Sequence, residues 1–115
     1  GYLPGDGGRS VTFGSVLVGL YQPGGLRWIG AVGSGFTESS LRAFHAALTQ
    51  IERDTSPFTN QVVAPGRPVW VEPAIVINVE YKEWTFDDHL RAPVYKGVEL
   101  ADPETVTWAE DGPDS

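Results

Sequence analysis

The 115-residue sequence contains no cysteine, no methionine and only two histidines, His45 and His89. The absence of cysteine excludes disulfides, thiolate zinc sites and a cysteine nucleophile. Two imidazoles are also too few for most structural metal sites, so none is predicted. Because the chain has no initiator methionine, it is expected to be a piece of a longer protein.

Long apolar runs are absent as well. No stretch reaches the roughly 18 consecutive apolar residues that suggest a membrane-spanning helix. Residues 1–5 (GYLPG) lack the basic and then apolar pattern that opens a signal peptide. Together with the lack of cysteine, these absences predict a cytoplasmic protein without a membrane partner.

Positive charge is scarce, and the formal net charge is -7. An acidic surface repels a polyanion, which argues at first against nucleic acid. The acids are concentrated at the end of the chain, because residues 99–115 hold six acids and no Lys or Arg. Residues 1–98 hold nine acids against eight bases, so this part can present a local basic face. The charge balance therefore leaves a DNA partner open.

The first part of the chain predicts a β-hairpin. Residues 2–10 are rich in Gly and Pro and are predicted as a strand end followed by a loop. Two apolar, β-branched segments, Gly14–Tyr21 and Leu26–Val32, then flank the sequence QPGG at residues 22–25. Because proline fixes φ and glycine permits positive φ, this tetrapeptide is a turn, and the two segments are paired strands.

One helix is predicted after the corner formed by residues 33–36 (GSGF). Thr37 is a suitable N-cap, and Glu38 favours the positive end of the helix dipole in the first turn. Pro57 ends the helical region. The apolar residues that recur at helical spacing are Leu41, Phe44, Leu48 and Ile51.

The second half of the chain predicts further strands. Val69–Val71 is a short one, and Ile75–Trp84 alternates between apolar and polar residues. Asp87 and Asp88 form a polar turn, after which Leu90–Val98 is the last strand. Residues from Ala101 onward are acids, prolines and small residues, which are typical of a mobile segment.

This order of elements predicts a mainly β fold. A single helix between the third and fourth of five strands is the arrangement of the OB-fold, a Greek-key barrel. We therefore expect a five-stranded OB-fold domain over residues 1–100, followed by an acidic, mobile tail over 101–115. The fold by itself does not give a function.

Several patterns resemble sites but have simpler interpretations. Residues 30–35 (GAVGSG) lie where a dinucleotide-binding loop would, yet no second strand–helix unit follows, so a tight corner is predicted. His45 and His89 have no Ser or Cys nucleophile motif nearby and are interpreted as packing or surface residues. Four acids could suggest glycoside hydrolysis but are interpreted as solvated: Glu80, Glu83, Asp87 and Asp88.

The basic residues Lys82, Arg91 and Lys96 are grouped near the end of the domain. Arg91 and Lys96 are five residues apart, so their side chains start on opposite faces unless the strand bends or bulges. Pro93 between them marks an edge or an irregularity. Spacing alone does not separate a site from scattered surface bases.

Three ordered segments resemble the C-terminal OB domain of bacterial ATP-dependent DNA ligases, including those linked to end-joining. Residues 14–19 (GSVLVG) and 26–36 (LRWIGAVGSGF) are similar to the family's G-S-L-L-x-G and L-x-x-x-G-x-V-G-T-G-F. Residues 70–73 (WVEP) and 79–85 (VEYKEWT) resemble V-x-P and V-x-Y-x-E-W-T. Residues 90–97 (LRAPVYKG) resemble the start of nucleotidyltransferase motif VI. The resemblance covers nearly all of residues 1–98.

The resemblance implies a role in sealing nicks with ATP and Mg²⁺, in partnership with the nucleotidyltransferase domain of the same chain. There a lysine takes AMP from ATP, and motif VI of the OB domain orients the pyrophosphate. This assigns Arg91, and secondly Lys96, to the ATP pyrophosphate. The OB domain then grips nicked double-stranded DNA, for which the candidate phosphate contacts are Arg9, Arg27 and Lys82. Such contacts position a protein rather than read sequence.

Two departures limit what this chain can do alone. The lysine motif Lys-x-Asp-Gly is absent, so the isolated domain is expected to be inactive, to hold no cofactor tightly and to bind duplex weakly. The family's motif VI ends in Arg-x-Asp-Lys, whereas residues 99–102 here are ELAD, with Glu99 at the place of the second Arg. An anion there would repel a triphosphate if it pointed inward, which predicts altered self-adenylation.

Two other classes of function remain open from the sequence. The OB domain of an mRNA capping guanylyltransferase shares motif VI, although residues 83–85 (EWT) and 32–36 (VGSGF) favour a ligase. A non-catalytic OB module that binds single strands or a protein would need exposed aromatic platforms. The four tryptophans could supply them.

Overall fold

The computed structural model describes residues 1–5 and 13–113. Arg9, one of the predicted DNA contacts, lies outside the described residues. In the described part of the chain, no helix is long and apolar enough to cross a membrane.

The first half of the chain forms a three-stranded antiparallel sheet in the order β1 (Tyr2–Pro4), β2 (Phe13–Gln22) and β3 (Gly25–Val32). The predicted hairpin is confirmed, because Gln22 pairs with Gly25 across the Pro23-Gly24 turn. Gly24 has a φ of 99°, which the glycine there permits without strain.

Helix α1 (Glu38–Thr49) follows, as its apolar spacing predicted. The N-cap is confirmed: the Thr37 hydroxyl accepts the backbone N–H of Ser40 at 3.0 Å, and the Ser40 hydroxyl accepts the N–H of Thr37 at 2.8 Å. This reciprocal capping box satisfies two N–H groups that have no partner within the helix. The helix buries Leu41, Phe44 and Leu48 against the sheet.

The second half consists of short paired strands. The ladders are β4 (Glu52–Arg53) with β5 (Trp70–Val71), β6 (Val76–Glu80) with β9 (Val94–Glu99), and β7 (Glu83–Trp84) with β8 (Leu90–Arg91). The two long strands predicted over residues 75–84 and 90–98 are therefore each split in two. In the second, Ala92 has a φ of 54°, outside the extended region, and leads into Pro93, so the ladder cannot continue through them.

The mainly β class and the helix between the third and fourth strands are confirmed, but the closed five-stranded barrel is not. The nine described strands form an open arrangement of one three-stranded sheet and three two-stranded ladders. Isolated bridges connect these pieces: Tyr2 with Val69, and Ser34 with Val94.

Both faces of the β1–β3 sheet are covered. One face packs against α1 and β6–β9 around a cluster that includes Phe13, Val16 and Phe44. The other face carries Leu3, Leu17 and Trp28, which are covered by Phe58, Val62 and Ala64 of the loop between β4 and β5 and by Trp70 of β5. The covering loop explains why β2 is apolar on both faces rather than alternating.

The C-terminal region contains defined structure. A 3₁₀ helix spans Pro103–Thr105 and helix α2 spans Trp108–Asp111. The backbone N–H of Tyr21 in β2 donates to the carbonyl of Val106 at 3.0 Å. The division at residue 100 and the mobility of the tail stay predictions.

Candidate functional site

The first predicted pyrophosphate contact, Arg91, lies on the two-stranded ladder β7–β8. It stands directly across from Glu83, and its Nη1 lies 3.3 Å from the Glu83 Oε1. Both side chains are more than half exposed, at 59% and 54%. Such an exposed pair contributes little to stability, so the Arg91 guanidinium can exchange its carboxylate for another anion at small cost.

The second predicted contact, Lys96, lies at an irregularity of the β6–β9 ladder. Val79 pairs with Tyr95 and Asn78 with Gly97, so Lys96 is the extra residue of a β-bulge. Gly97 has a φ of 138°, which glycine tolerates. The Lys96 Nζ lies 3.2 Å from Glu80 Oε2 on the neighbouring strand.

The structure thus places Arg91 and Lys96 on separate ladders rather than on one continuous strand. The positive φ of Ala92 and the following Pro93 end β8 before β9 begins. A bend therefore lies between the two bases and a bulge lies at Lys96, so the alternation of a regular strand does not apply to them. Each base keeps a carboxylate partner from the strand beside it.

Arg27 on β3 is the least accessible of the described candidates. Its Nη2 lies 3.6 Å from Asp88 Oδ2, and its guanidinium carbon lies 4.5 Å from the ring centroid of Trp108. The Nε of Arg27 is buried and has no hydrogen-bond partner in the described part of the chain. This arginine is held between an acid and an aromatic face.

Lys82 has the opposite environment. It lies between β6 and β7, it is exposed, and its backbone N–H donates to the carbonyl of Arg91 at 2.9 Å. Its ammonium forms no ion pair with the residues that the structure describes. The hydrogen bond places the backbone of Lys82 beside that of Arg91 at one end of the β7–β8 ladder.

The residues at the altered end of motif VI point to solvent. Glu99 ends β9 and is exposed, and Leu100 is fully exposed. The Asp102 carboxylate accepts the N–H of Glu104 at 3.1 Å and caps the 3₁₀ helix. Asp102 therefore has a structural role, and Glu99 does not point into the fold.

The simpler interpretations of the other patterns agree with the geometry. The corner at residues 33–36 is tight: Gly35 has a φ of 95°, and a Cβ there would lie 2.7 Å from the backbone nitrogen of Tyr95. His45 packs on Tyr2, with ring centroids 5.5 Å apart. His89 packs on Trp28 at 4.6 Å.

The predicted solvated carboxylates lie at the surface, and one of them is held by hydrogen bonds. Thr85 Oγ1 donates to Asp87 Oδ1 at 2.6 Å, and this bond lowers the pKa of Asp87. Among residues 1–5 and 13–113, no group of three or more His, Asp or Glu side chains is placed to hold a metal ion.

Three contributors to this region were not found from the sequence. Glu80 and Glu83 are the counter-ions of the candidate bases, which requires strand register that the alternation pattern alone does not give. Trp108 covers Arg27, although the region around it was interpreted as a mobile tail. A lone tryptophan in an acidic segment was the available signal, since a large aromatic side chain favours burial.

These features define a small β-rich domain with a capped helix and exposed, carboxylate-paired bases near its end. Comparison with known proteins gives its family. Residues 9–99 match the family model "ATP dependent DNA ligase C terminal region". The chain belongs to this family of DNA ligase C-terminal domains.

The similar proteins are longer than this chain and include proteins named as multifunctional LigD proteins. The chain is 39% identical over 102 residues to the multifunctional non-homologous end joining DNA repair protein LigD of Mycobacterium tuberculosis. This alignment covers 85% of this chain and 13% of that protein. The crystal structure of the ligase domain of that LigD superposes with a TM-score of 0.74 at 35% identity, covering 82% of this chain and 32% of that one. A mycobacterial DNA ligase D complexed with ATP and MES gives a TM-score of 0.75 at 35% identity, over 83% and 33% of the two chains. The chain thus corresponds to a minor part of each relative.

Proposed function

We propose that this chain contacts nicked duplex DNA and the ATP pyrophosphate on behalf of an ATP-dependent DNA ligase. The observation that carries the proposal is the position of Arg91 and Lys96, exposed cations inside the region that matches the ligase family. The domain that carries the adenylated lysine would be supplied by the rest of the parent protein.

Arg91 and Lys96 are the proposed pyrophosphate contacts. A guanidinium binds phosphate oxygens in a planar, two-point geometry, and a lysine adds a point charge. Phosphoryl transfer depends mostly on positioning and on stabilising charge, which suits two bases held by rigid strands. The carboxylates of Glu83 and Glu80 would be exchanged for phosphate oxygens when the domains close. The solved relative that is complexed with ATP supports ATP as the nucleotide.

Lys82, Arg27 and Arg9 are the proposed contacts to DNA phosphates. Lys82 is exposed and has no ion pair among the described residues. It can therefore bind a DNA phosphate, and displace a counterion from the DNA, without breaking an ion pair within the domain. Arg27 would first have to leave Asp88 and Trp108. We expect weak, salt-sensitive binding, since the net charge is -7.

Mg²⁺ is proposed only for the whole enzyme. The described residues offer no cluster of ligands that fits the ion, so we derive no step through it. The isolated chain should be inactive in ligation, because it contains no Lys-x-Asp-Gly motif to accept AMP. The assignment to the OB-fold in particular is supported by the single helix after β3 and the parallel bridge between Ser34 and Val94.

Amide chemical-shift titrations at low ionic strength test the DNA contact. The ligands are a nicked duplex and a single strand of the same sequence. We expect larger shifts with the duplex, centred on Lys82 and Arg27, and their loss at high salt. Lys82→Ala should weaken binding. Arg42→Ala is the matched control, because Arg42 is an exposed cation of α1 that is paired with Glu38 at 3.0 Å.

Stronger shifts with the single strand, centred on tryptophans, would replace this proposal with a generic single-strand binder. The structure gives that alternative little support, because all four tryptophans are at least partly buried. Trp28 is buried and its Nε1–H donates to the carbonyl of Gly30 at 2.9 Å. The family match likewise favours a DNA ligase over a capping enzyme.

A further inference from the structure

The C-terminal segment, defined here as residues 102–112, is attached to the hairpin by backbone contacts. The N–H of Tyr21 donates to the carbonyl of Val106 at 3.0 Å, and Thr107 forms a parallel bridge with Tyr21. Its secondary structure is capped by its own side chains, Asp102 for the 3₁₀ helix and Thr107 for α2. The segment lies beyond residues 9–99, which match the ligase family.

Trp108 is the side chain that joins this segment to the candidate site. The Arg27 guanidinium carbon lies over its ring, 4.5 Å from the centroid. Its edge contacts Trp84 of β7, with centroids 5.6 Å apart. Gly112 closes the turn beneath it, donating its N–H to the Trp108 carbonyl at 2.9 Å. Trp108 therefore covers one face of the Arg27 guanidinium plane and limits how freely this side chain can turn towards a phosphate.

The C-terminal segment is also strongly anionic. It carries no Lys or Arg, and its acids are Asp102, Glu104, Glu110 and Asp111. Their field reaches the neighbouring strand: burial, and then the charges of Glu104 and Asp102, raise the pKa of Tyr21. The segment therefore brings negative charge beside the β2–β3 hairpin that carries Arg27, because Tyr21 pairs with the neighbouring Leu26.

We propose that the C-terminal segment is an internal competitor for DNA phosphates, held over Arg27 by Trp108 and displaced when duplex binds. The inference rests on the proposed DNA role of Arg27. It accounts for the buried Nε of Arg27, which has no hydrogen-bond partner among the described residues. A partly exposed cation–π contact and a partly exposed ion pair are both weak enough for a polyanion to displace.

Trp108→Ala should release the segment and expose Arg27. The assay is anisotropy of a labelled nicked duplex at low ionic strength. We expect Trp108→Ala to bind roughly 3- to 10-fold more tightly than the wild type and to gain about one counterion in the salt dependence. Adding Arg27→Ala to this variant should remove the gain. Trp108→Phe keeps an aromatic face and should stay near the wild type.

A second variant protects the test against misfolding of Trp108→Ala. Glu110→Gln combined with Asp111→Asn keeps Trp108 but removes two negative charges from exposed positions. It should also bind the duplex more tightly than the wild type. Exchange of the Arg27 Nε–H with water gives a readout without DNA, and it should accelerate in Trp108→Ala.

The outcomes separate the inference from the proposed function. If Lys82→Ala weakens binding while Trp108→Ala and the charge variant match the wild type, the domain grips DNA but the inference is wrong. An unchanged exchange rate at Arg27 would also overturn it, because the segment then does not cover the arginine. If neither the wild type nor any variant binds the duplex, both the proposed DNA contact and the proposed competition by the C-terminal segment are wrong.

Discussion

The side-chain amide of Asn60 is hydrogen-bonded to both backbone groups of Trp28. Asn60 Oδ1 accepts the Trp28 N–H at 2.7 Å, and Asn60 Nδ2 donates to the Trp28 carbonyl at 3.1 Å. The neighbouring Thr59 N–H donates to the carbonyl of Leu26 at 2.8 Å. This loop thus satisfies the edge of β3 that faces away from β2, an edge that would otherwise be open to another chain.

Replacing Asn60 should therefore destabilise the domain. Asn60→Ala leaves a partly buried N–H and carbonyl of Trp28 unpaired, and we expect a loss of about 1–3 kcal/mol in the free energy of unfolding. Urea denaturation measures it. Asn78→Ala, at an exposed position of β6, should change stability by less than about 0.5 kcal/mol. Equal losses in the two variants would mean that the loop does not secure β3.

The close approach of Gly35 to Tyr95 gives a second prediction. Gly35 and Gly24 have nearly the same φ, 95° and 99°, but a Cβ would meet the Tyr95 backbone at Gly35 and nothing within 4 Å at Gly24. Both Gly→Ala variants incur backbone strain of about 1–3 kcal/mol. Gly35→Ala should lose about 1–3 kcal/mol more through the clash. Equal urea midpoints for the two variants would contradict the close contact between Gly35 and the Tyr95 backbone of β9.

The buried amino group of Gly1 predicts a pH dependence for the polypeptide of residues 1–115. Burial lowers its pKa from 8.0 to about 5. The unfolded chain then binds the proton more readily than the folded chain, so stability is fully present above pH 8 and is lost as pH falls towards 5. The slope can reach about 1.4 kcal/mol per pH unit.

Urea unfolding across this range, with an N-terminally acetylated chain as the control, measures that contribution. The acetylated chain has no amine to titrate, so its stability should vary less with pH than that of the free chain. Identical slopes would show that the amine is solvated in the folded protein.

The ion pair between Arg91 and Glu83 gives the fourth prediction. Glu83→Gln removes the carboxylate that lies 3.3 Å from the guanidinium, so Arg91 should bind phosphates more readily. We expect roughly two- to fivefold tighter binding of inorganic pyrophosphate at low ionic strength, with the gain lost in high salt. Glu38→Gln is the control, because it changes the net charge equally but removes the partner of Arg42 on α1, which is not a candidate site residue. A similar gain in this control would assign the effect to net charge alone.

Local rules determined much of this fold from the sequence. The Pro23-Gly24 turn determined the hairpin, because proline restricts φ and glycine permits a positive φ. Thr37 and the spacing of Leu41, Phe44 and Leu48 gave the helix, since both capping and burial on one face depend on residues a few positions apart. The family resemblance over residues 14–97 likewise rests on ordered local segments and agrees with the matched range 9–99.

The splitting of the later strands was decided by tertiary structure. Asp88 and Ala92 have φ values of 61° and 54°. Neither residue type indicates a left-handed conformation from the sequence in the way that glycine does. Because alternation describes only which face a side chain takes, it cannot reveal where a ladder ends or which strand is its partner. The predicted single strands and closed barrel failed for this reason.

The candidate site shows the same division. The sequence determined which cations exist and, by resemblance, which of them to examine: Arg91, Lys96, Arg27 and Lys82. Only the tertiary structure decided that the first three are paired with acids from neighbouring elements, and that Trp108 covers Arg27. Charge and composition are properties of the chain, but the field at a side chain depends on residues far away in sequence that folding brings within a few ångströms.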